Sequence, residues 1–468
     1  MRASGRPFAM PSGIMPTTAR RSSLLLVLLV AVSLVLGGVQ SAAVAENTNR
    51  DTGSGPWTGF AFDACTAPSQ WVMDRWLRTS PYLGVGVYIG GSMRACEQPR
   101  LTSGWVKRQT RSGWRLLPIW VGPQASCSHY RGRISPRPGA QGRYPVAREQ
   151  GVRAARGATA AARALGIPEG TTLWYDIEAF AHRGNPYCRR SALRFLSAWT
   201  TQLHRVGYRS GVYSSVSAAI QAMNAAPVRG PRSFVMPDHI WFAWANRRPD
   251  ARLGHWVRSP RWQQTRRVHQ FALNSTVSHG GIRLSIDKNF VSLGRVKAPR
   301  PAPMCGVRVD FRHYRPLHRG HSGPQVRAAQ CLLKRKGLYR EEIGARYTTD
   351  VWQAVRKFQG GRDLRRTGRV NASTWTALLA GGRRAVLKRG SVGDEVRRVQ
   401  RAVNAALPRP VRVTGVYGPG TVSAVRRYQR RTRQPDTGVV AHRTWRALAQ
   451  GDTGNPRPDR HHARVRRA

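Results

Sequence analysis

Between residues 57 and 293, short apolar runs alternate with stretches that have apolar residues at helical spacing. Apolar runs bounded by Gly, Pro or polar residues predict strands, and apolar positions three or four residues apart predict helices. Alternating strands and helices over this length predict an α/β fold, a parallel sheet closed into a (β/α)8 TIM-like barrel. The predicted strands are residues 59–63, 83–89, 114–121, 171–178, 210–213, 239–244, 268–271 and 284–287.

The C-terminal part shows helical periodicity only, and its pattern repeats at an offset of 70 residues. A fixed repeat of this kind indicates a duplicated module. Each copy predicts a small all-α unit of three short helices, near 323–337, 351–358 and 372–379 in the first copy. The loop Leu317-His-Arg-Gly320 likewise matches Leu387-Lys-Arg-Gly390. Equivalent pairs include Val326 and Val396, Gln330 and Gln400, Tyr347 and Tyr417, Phe358 and Tyr428, and Trp375 and Trp445.

The N-terminus has the pattern of a secretory signal. Arg20 and Arg21 precede an apolar run from Leu24 to Leu36, and a small-x-small site ends at Ala45. The run is shorter than the roughly 20 residues of a membrane helix, so we expect no transmembrane span after cleavage. An uncleaved anchor is the alternative, and Met10 or Met15 is an alternative start.

The whole chain is therefore divided as follows. Residues 1–45 are the signal peptide, 57–293 the barrel, and 294–304 a stiff Pro-rich linker. Residues 305–381 and 382–451 are the two modules, and 452–468 form a basic, disordered tail.

Charge and cysteines limit the classes of partner. The chain has 78 Lys and Arg against 22 Asp and Glu, a net charge of +56, which favours polyanions. The basic residues are spread over every segment rather than gathered in one stripe, so we expect anionic cell-wall polymers and no nucleic acid.

Six cysteines in an exported chain predict disulfides. Their positions place Cys305 with Cys331 and leave Cys65, Cys96, Cys127 and Cys188 to pair among themselves. Pairing of Cys65 with Cys96, and of Cys127 with Cys188, would join neighbouring loops. We expect no metal and no organic cofactor, and we expect a monomer that is secreted or held in the cell wall.

The candidate chemistry lies at predicted strand ends, where such barrels carry their active sites. Strand residues i and i+2 face the same side, so Asp176 and Glu178 should both point into the mouth of the barrel. Clustered carboxylates raise one another's pKa, as a general acid for glycoside cleavage requires. An Asp-x-Glu pair can equally be structural, and each aromatic can be barrel core. The candidates are Asp63, Asp176, Glu178 and Asp287 for catalysis, and Tyr88, Tyr213, Trp244 and Gln270 for binding.

These residues resemble two related families. Residues 59–63 (GFAFD), 176–178 (DIE) and 287–290 (DKNF) resemble glycoside hydrolase family 25, the Chalaropsis-type lysozymes. Residues 62–68 (FDACTAP), 88–91 (YIGG) and 207–214 (GYRSGVYS) are more similar to the glycoside-hydrolase-like domain of unknown function 1906. The resemblance implies that Glu178 is the general acid and that Asp176 orients the substrate's acetamido group. It further implies that Asp63 and Asp287 position the sugar.

The repeated segments resemble the peptidoglycan-binding type 1 module. The resemblance rests on residues 367–370 (TGRV) and 437–440 (TGVV), each followed by a Thr-Trp helix. The first copy departs from the pattern at its opening, residues 321–323 (HSG). The resemblance implies that peptidoglycan is the partner.

Three hypotheses follow from the sequence. The first is an exported, muramidase-like peptidoglycan hydrolase with two wall-binding modules. The second is a non-catalytic wall-glycan-binding protein with a degenerate barrel. The third is a surface protein that binds polyanions by charge alone, with binding that falls steeply with salt.

Overall fold

The structure is a computed structural model that describes residues 55–230 and 233–454. The expected signal peptide and all but the first three residues of the expected basic tail lie outside the described residues. Within those ranges, no helix combines the length and the hydropathy that a membrane crossing requires.

Eight strands form a closed barrel in which neighbours along the chain are neighbours in the sheet, which confirms the TIM-like fold. Helices on the outside cover the barrel: α1 (Gln70–Thr79), α2 (Ser103–Ser112), α3 (Pro145–Ala164), α4 (Pro186–Arg205) and α5 (Gln221–Ala225). The strands are β1 (Trp57–Asp63), β2 (Tyr82–Gly90), β3 (Arg115–Trp120), β4 (Thr172–Asp176), β5 (Arg209–Ser215), β6 (His239–Ala243), β7 (Arg266–His279) and β8 (Ile282–Leu293).

The prediction of a fully parallel sheet is wrong at the last strand. β8 runs antiparallel to both β7 and β1. The connection from β7 to β8 is only Gly280 and Gly281, which both have positive φ. Two residues suffice for a hairpin, whereas a parallel return needs a crossover of about a dozen residues. As a result, Asp287 lies within β8, opposite Asp63 on β1, and not at the C-terminal end of a strand.

Tryptophans fill the interior of the barrel. Trp57, Trp174 and Trp241 are buried there together with aliphatic side chains. The glycines of β2 make room for them: a Cβ on Gly84 would lie 2.5 Å from the Trp57 ring. The alternation of Gly and Val in this strand therefore reflects a small-to-large fit across the barrel interior.

Three disulfides join Cys65 to Cys96, Cys127 to Cys188, and Cys305 to Cys331. The first joins the segments that follow β1 and β2, and the second joins the segment after β3 to the first turn of α4. The expected pairing of Cys305 with Cys331 is confirmed.

The C-terminal region contains two three-helix modules, as the repeat predicts, and one hydrophobic core runs through both. In the first module Gln359 accepts from the backbone N–H of Gly368 at 2.9 Å, and in the second Gln429 accepts from that of Gly438 at 2.8 Å. The repeated Gln thus fixes the same turn twice. The helices are α6 (Pro324–Lys334), α7 (Thr349–Gly360), α8 (Ala372–Leu379), α9 (Asp394–Ala406), α10 (Pro419–Arg431) and α11 (His442–Ala449).

The second module also contacts the barrel directly. We call residues 387–390 the base loop, because they pack against the end of the barrel opposite the mouth. Lys388 is 1% exposed, and its Nζ donates to the carbonyl oxygens at the end of α1 and the start of β2. These acceptors are those of Leu77 at 2.5 Å, Ser80 at 2.8 Å and Tyr82 at 2.8 Å. The segment 294–304 is therefore not the only connection between the barrel and the modules.

Candidate active site

The four candidate carboxylates meet at the mouth of the barrel. Asp63 ends β1, Asp176 ends β4, Glu178 follows two residues later, and Asp287 lies on β8. Asp176 and Glu178 line one cavity of about 190 Å³, together with Tyr88, Gln124 and Tyr130. The two-residue repeat of a strand predicted that Asp176 and Glu178 point to the same side. Both side chains line this cavity, although β4 ends at Asp176.

Asp63 is buried within a hydrogen-bond network. Its Oδ1 accepts from Asn289 Nδ2 at 2.6 Å, and its Oδ2 accepts from the Tyr88 hydroxyl at 3.2 Å. Asn289 is held in turn by Trp241, whose Nε1 donates to Asn289 Oδ1 at 2.8 Å. Burial and the neighbouring Asp287 raise the pKa of Asp63 to about 7, although these hydrogen bonds oppose the shift.

Asp287 is positioned by a second network. Gln270 Nε2 donates to its Oδ2 at 3.0 Å, and the backbone N–H of Asn274 donates to its Oδ1 at 2.7 Å. Tyr213 donates its hydroxyl proton to Gln270 Oε1 at 2.8 Å. Burial raises the pKa of Asp287, while the Asn274 hydrogen bond lowers it. Gln270 therefore orients a carboxylate and links it to Tyr213.

Gln124 holds the end of β4. Its Nε2 donates to the backbone oxygen of Asp176 at 2.9 Å, and its Oε1 accepts from the backbone N–H of Glu178 at 2.8 Å. A single buried side chain thus fixes the backbone on either side of Ile177. Sequence reasoning missed Gln124, because a polar residue in the loop after β3 has no local pattern that indicates this role.

The electrostatics favour a proton on the Asp176–Glu178 pair. Burial, followed by repulsion from Glu178 and Asp63, raises the pKa of Asp176 well above its ordinary value. Burial also raises the pKa of Glu178, and Asp287 adds to this rise, while the backbone N–H of Ala179 and the nearby His129 oppose it. In the described part of the chain, Asp176 Oδ1 is buried without a hydrogen-bond partner. The pair therefore retains a proton, with the stronger rise in pKa at Asp176, and it presents one buried Asp176 oxygen to the cavity side of the site.

Of the four predicted binding residues, the structure brings three to the carboxylates. Tyr88, Tyr213 and Gln270 belong to the networks above. Trp244 does not join them: its ring lies 5.8 Å from that of His255 and packs in the layer between the barrel and its outer helices. In the described ranges, no group of three or more His, Cys, Asp or Glu is arranged to hold a metal ion.

Comparison with known proteins assigns the domains. Residues 75–291 match the model of the Rv2525c-like, glycoside hydrolase-like domain. Residues 322–378 and 392–448 each match the model of the peptidoglycan binding domain. A search of curated proteins gave no match.

Solved structures with similarity to the chain include two bacterial proteins. One is an uncharacterized B. stearothermophilus protein, with 21% identity, a TM-score of 0.32, and coverage of 50% of this chain and 95% of that one. The other is the modular autolysin LytC from Streptococcus pneumoniae, with 12% identity, a TM-score of 0.31, and coverage of 50% of this chain and 46% of that one. The complex of LytC with a synthetic peptidoglycan ligand has the same values. By the two family models, the chain carries an Rv2525c-like, glycoside hydrolase-like domain followed by two peptidoglycan binding domains.

Proposed function

We propose that the protein is an exported, muramidase-like hydrolase of the peptidoglycan glycan, held on the wall by its two modules. The observation that carries the proposal is the pair at the end of β4. Glu178 has a raised pKa, and beside it Asp176 presents a buried oxygen that has no hydrogen-bond partner among the described residues. A glycosidase needs an acid that is protonated near neutral pH and a second carboxylate that responds to charge on the substrate.

The reaction would use these groups in a substrate-assisted route. Glu178 gives its proton to the glycosidic oxygen as the bond from that oxygen to C1 breaks. The carbonyl oxygen of the substrate's acetamido group bonds to C1, and Asp176 accepts the acetamido N–H and stabilises the positive charge. This step requires that the proton of the pair lies on Glu178 and that Asp176 is ionised when the sugar is bound. Water then opens this intermediate and returns a proton to Glu178. Asp287, fixed by its hydrogen bond from Gln270, adds negative potential where the positive charge develops, and Asp63, with a pKa of about 7, adds to it in its ionised form.

The rest of the chain supports action at the wall. Two modules on one chain raise the local concentration of the barrel at an insoluble polymer. The net charge of +56 adds attraction to anionic wall polymers, and three disulfides fit an oxidising exterior.

A second candidate is a barrel that binds wall glycan without cleaving it. The size of the mouth cavity favours this alternative. At about 190 Å³ it is smaller than the roughly 300–1,000 Å³ that is usual for ligand pockets, whereas cleavage requires sugars on both sides of the broken bond.

One experiment separates the two candidates. The mature protein and a Glu178→Gln variant are incubated with purified peptidoglycan, and reducing ends and wall pelleting are followed in the same tubes. We expect reducing ends from the parent only, with equal pelleting of both proteins. Equal pelleting with no reducing ends from either protein, on several wall types, would reject the hydrolase and leave the binding barrel.

A further inference from the structure

A second and larger cavity lies beside the mouth, outside the barrel. It has a volume of about 490 Å³ and lies between the first turns of α4, the end of α5 and the start of α3. This volume is within the range of ligand pockets. Nothing in the mechanism above uses it.

One side of this outer cavity is basic. Arg189, Arg190 and Arg194 line it, and no carboxylate does. Arg189 donates to the backbone oxygen of His182 at 3.3 Å. Over the described ranges, no ion pair joins Arg189 or Arg190 to an acidic side chain. Guanidinium groups placed in this way are suited to a carboxylate or a phosphate.

A buried tyrosine hydroxyl provides the second polar feature. Tyr144 lines the outer cavity, is 1% exposed, and has a hydroxyl with no hydrogen-bond partner in the part of the chain that the structure describes. Its backbone is left-handed, with φ of 50°, and its N–H donates to the oxygen of Pro138 at 2.7 Å. Because a buried hydroxyl without a partner is costly, its position on a cavity wall points to a polar ligand group.

The remaining wall of the cavity is apolar and built largely from small side chains. Ala222, Ala225 and Ala226 form it together with Leu193 and Phe234. Such a wall accommodates methyl-sized groups next to the anionic end of a ligand. A plain phosphodiester chain brings no apolar group to cover this wall, so the shape favours a short peptide with small side chains.

The outer cavity and the mouth share the loop between β4 and α4. His182, which lines it, lies in the same β4–α4 loop as Glu178. His182 Nε2 contacts Gln221 Oε1 at 3.3 Å, which ties this loop to α5. A branched polymer whose sugar occupies the mouth could therefore place a side branch in the outer cavity.

We propose that the outer cavity binds the carboxylate end of a short peptide with alanine-like side chains, the stem peptide of peptidoglycan. This inference rests on the proposed function in naming the polymer. The arginines bind the terminal carboxylate, Tyr144 pairs with a peptide group, and the alanine-rich wall contacts the methyl side chains.

The test is calorimetric titration of the full mature chain with the tripeptide acetyl-Lys-D-Ala-D-Ala, and separately with glycerol phosphate. We expect Arg190→Glu to weaken tripeptide binding roughly tenfold or more, through the loss of a charge-assisted hydrogen bond. Tyr144→Phe keeps the ring and should weaken binding roughly threefold. Arg156→Glu is the matched control, since Arg156 is an exposed arginine on α3 that does not line the cavity, and it should bind like the parent.

The outcomes separate this inference from the hydrolase proposal. Glu178→Gln should bind the tripeptide as tightly as the parent, whether or not the parent releases reducing ends. Absence of tripeptide binding by the correctly folded parent would overturn the inference, as would equal binding by the parent and Arg190→Glu. Tighter binding of glycerol phosphate than of the tripeptide would also overturn it and would assign the cavity to a phosphate polymer.

Discussion

The two peptidoglycan binding modules share a fold but differ at one loop. In the second module the base loop is packed on the barrel and Lys388 is buried. The equivalent residue in the first module is His318, whose Nδ1 contacts only the next backbone oxygen, that of Arg319, at 2.8 Å, and whose ring lies 3.8 Å from that of His321. A Cβ on Gly390 would lie 2.6 Å from the backbone oxygen of Thr58, while one on Gly320 would meet nothing within 4 Å.

The contacts that stabilise each module internally therefore differ from the contacts that attach the second module to the barrel. The buried Gln, Tyr and Trp anchors recur in both copies, because each satisfies a turn or fills a core within its own module. Leu317 and Leu387, which open the loop, are also buried in both copies, and the two loops differ at the next residue. The second module has a lysine at this position, which donates to backbone carbonyls at the end of α1 and the start of β2, and its burial lowers its pKa well below the ordinary value. In the first module His318 is half-buried, and Arg319 and Gly320 are exposed.

The largest effect is expected from removing the lysine. Lys388→Met keeps the length of the side chain but removes the donor to the carbonyls of Leu77, Ser80 and Tyr82. Each such group costs about 1–3 kcal/mol, so we expect a loss of about 4 kcal/mol in the free energy of unfolding. The matched change His318→Met should cost less than about 0.5 kcal/mol, because that loop is free of the barrel. Urea unfolding followed by tryptophan fluorescence measures both.

The same comparison gives a test of the attachment itself. Protease cleavage near residues 294–304 should release the modules from the Lys388→Met protein but not from the parent or from His318→Met. Similar losses of stability in the two module variants would show that the base loop does not hold the second module on the barrel.

The unfolding free energy measured over a range of pH distinguishes the contribution of Asp63 at the mouth of the barrel from that of Lys388 at its base. The folded pKa of Asp63, about 7, lies above its ordinary 3.8, so the folded state binds more protons between these values. Its stabilising contribution is therefore complete below about pH 4 and is lost as the pH rises through about 7. Asp63→Asn should remove this decline, which we expect to be about 4 kcal/mol in unfolding free energy. Lys388→Met removes a contribution of the opposite sign, because burial lowers the pKa of Lys388 well below its ordinary value and its contribution therefore rises with pH above that folded pKa. Equal slopes for the parent and Asp63→Asn between pH 4 and 7 would contradict this assignment.

The paired glycines isolate packing from backbone strain. Gly390 and Gly320 both have positive φ, 99° and 89°, so an alanine at either position carries the same backbone penalty of about 1 kcal/mol. Only at Gly390 would the new methyl group collide with the barrel, at Thr58 and Leu83. We expect Gly390→Ala to cost about 2 kcal/mol more than Gly320→Ala in urea unfolding. Equal costs would mean that the base loop can withdraw from the barrel without loss.

Most of the fold could be predicted from the local pattern of apolar residues. Strand number and helix repeats follow from the spacing of apolar residues, which each segment contains within itself. β8 is antiparallel because the Gly280–Gly281 connection is too short for a parallel return. The alternation of strands and helices does not by itself predict this direction. The position of Asn289 in the site could have been predicted from the sequence, because it lies two residues from Asp287 on one strand and so shares its face.

The rest of the site and the base loop depend on distant parts of the chain. Gln124 acts on β4 from a loop after β3, and Trp244 lies at a predicted strand end but turns to the outer layer. The repeat pairs Lys388 with His318, yet nothing near Lys388 in the sequence indicates its burial. Its acceptors lie more than 300 residues earlier in the chain, on the barrel.

The smallest expected effect comes from the next residue of each loop. The Arg389 guanidinium lies 5.2 Å from the Phe60 ring and 4.8 Å from the Phe290 ring, on the base of the barrel, whereas that of Arg319 lies 5.1 Å from Trp352 within its own module. A partly desolvated cation over aromatic rings contributes about 1 kcal/mol, and an exposed one about half of that. Arg389→Gln should therefore lower the unfolding free energy of the chain by about 1 kcal/mol, and Arg319→Gln by about 0.5 kcal/mol. In a Lys388→Met background the Arg389→Gln effect should shrink, because the base loop no longer holds the guanidinium against the barrel. An undiminished effect in the double variant would show that Arg389 holds the module on the barrel independently of Lys388.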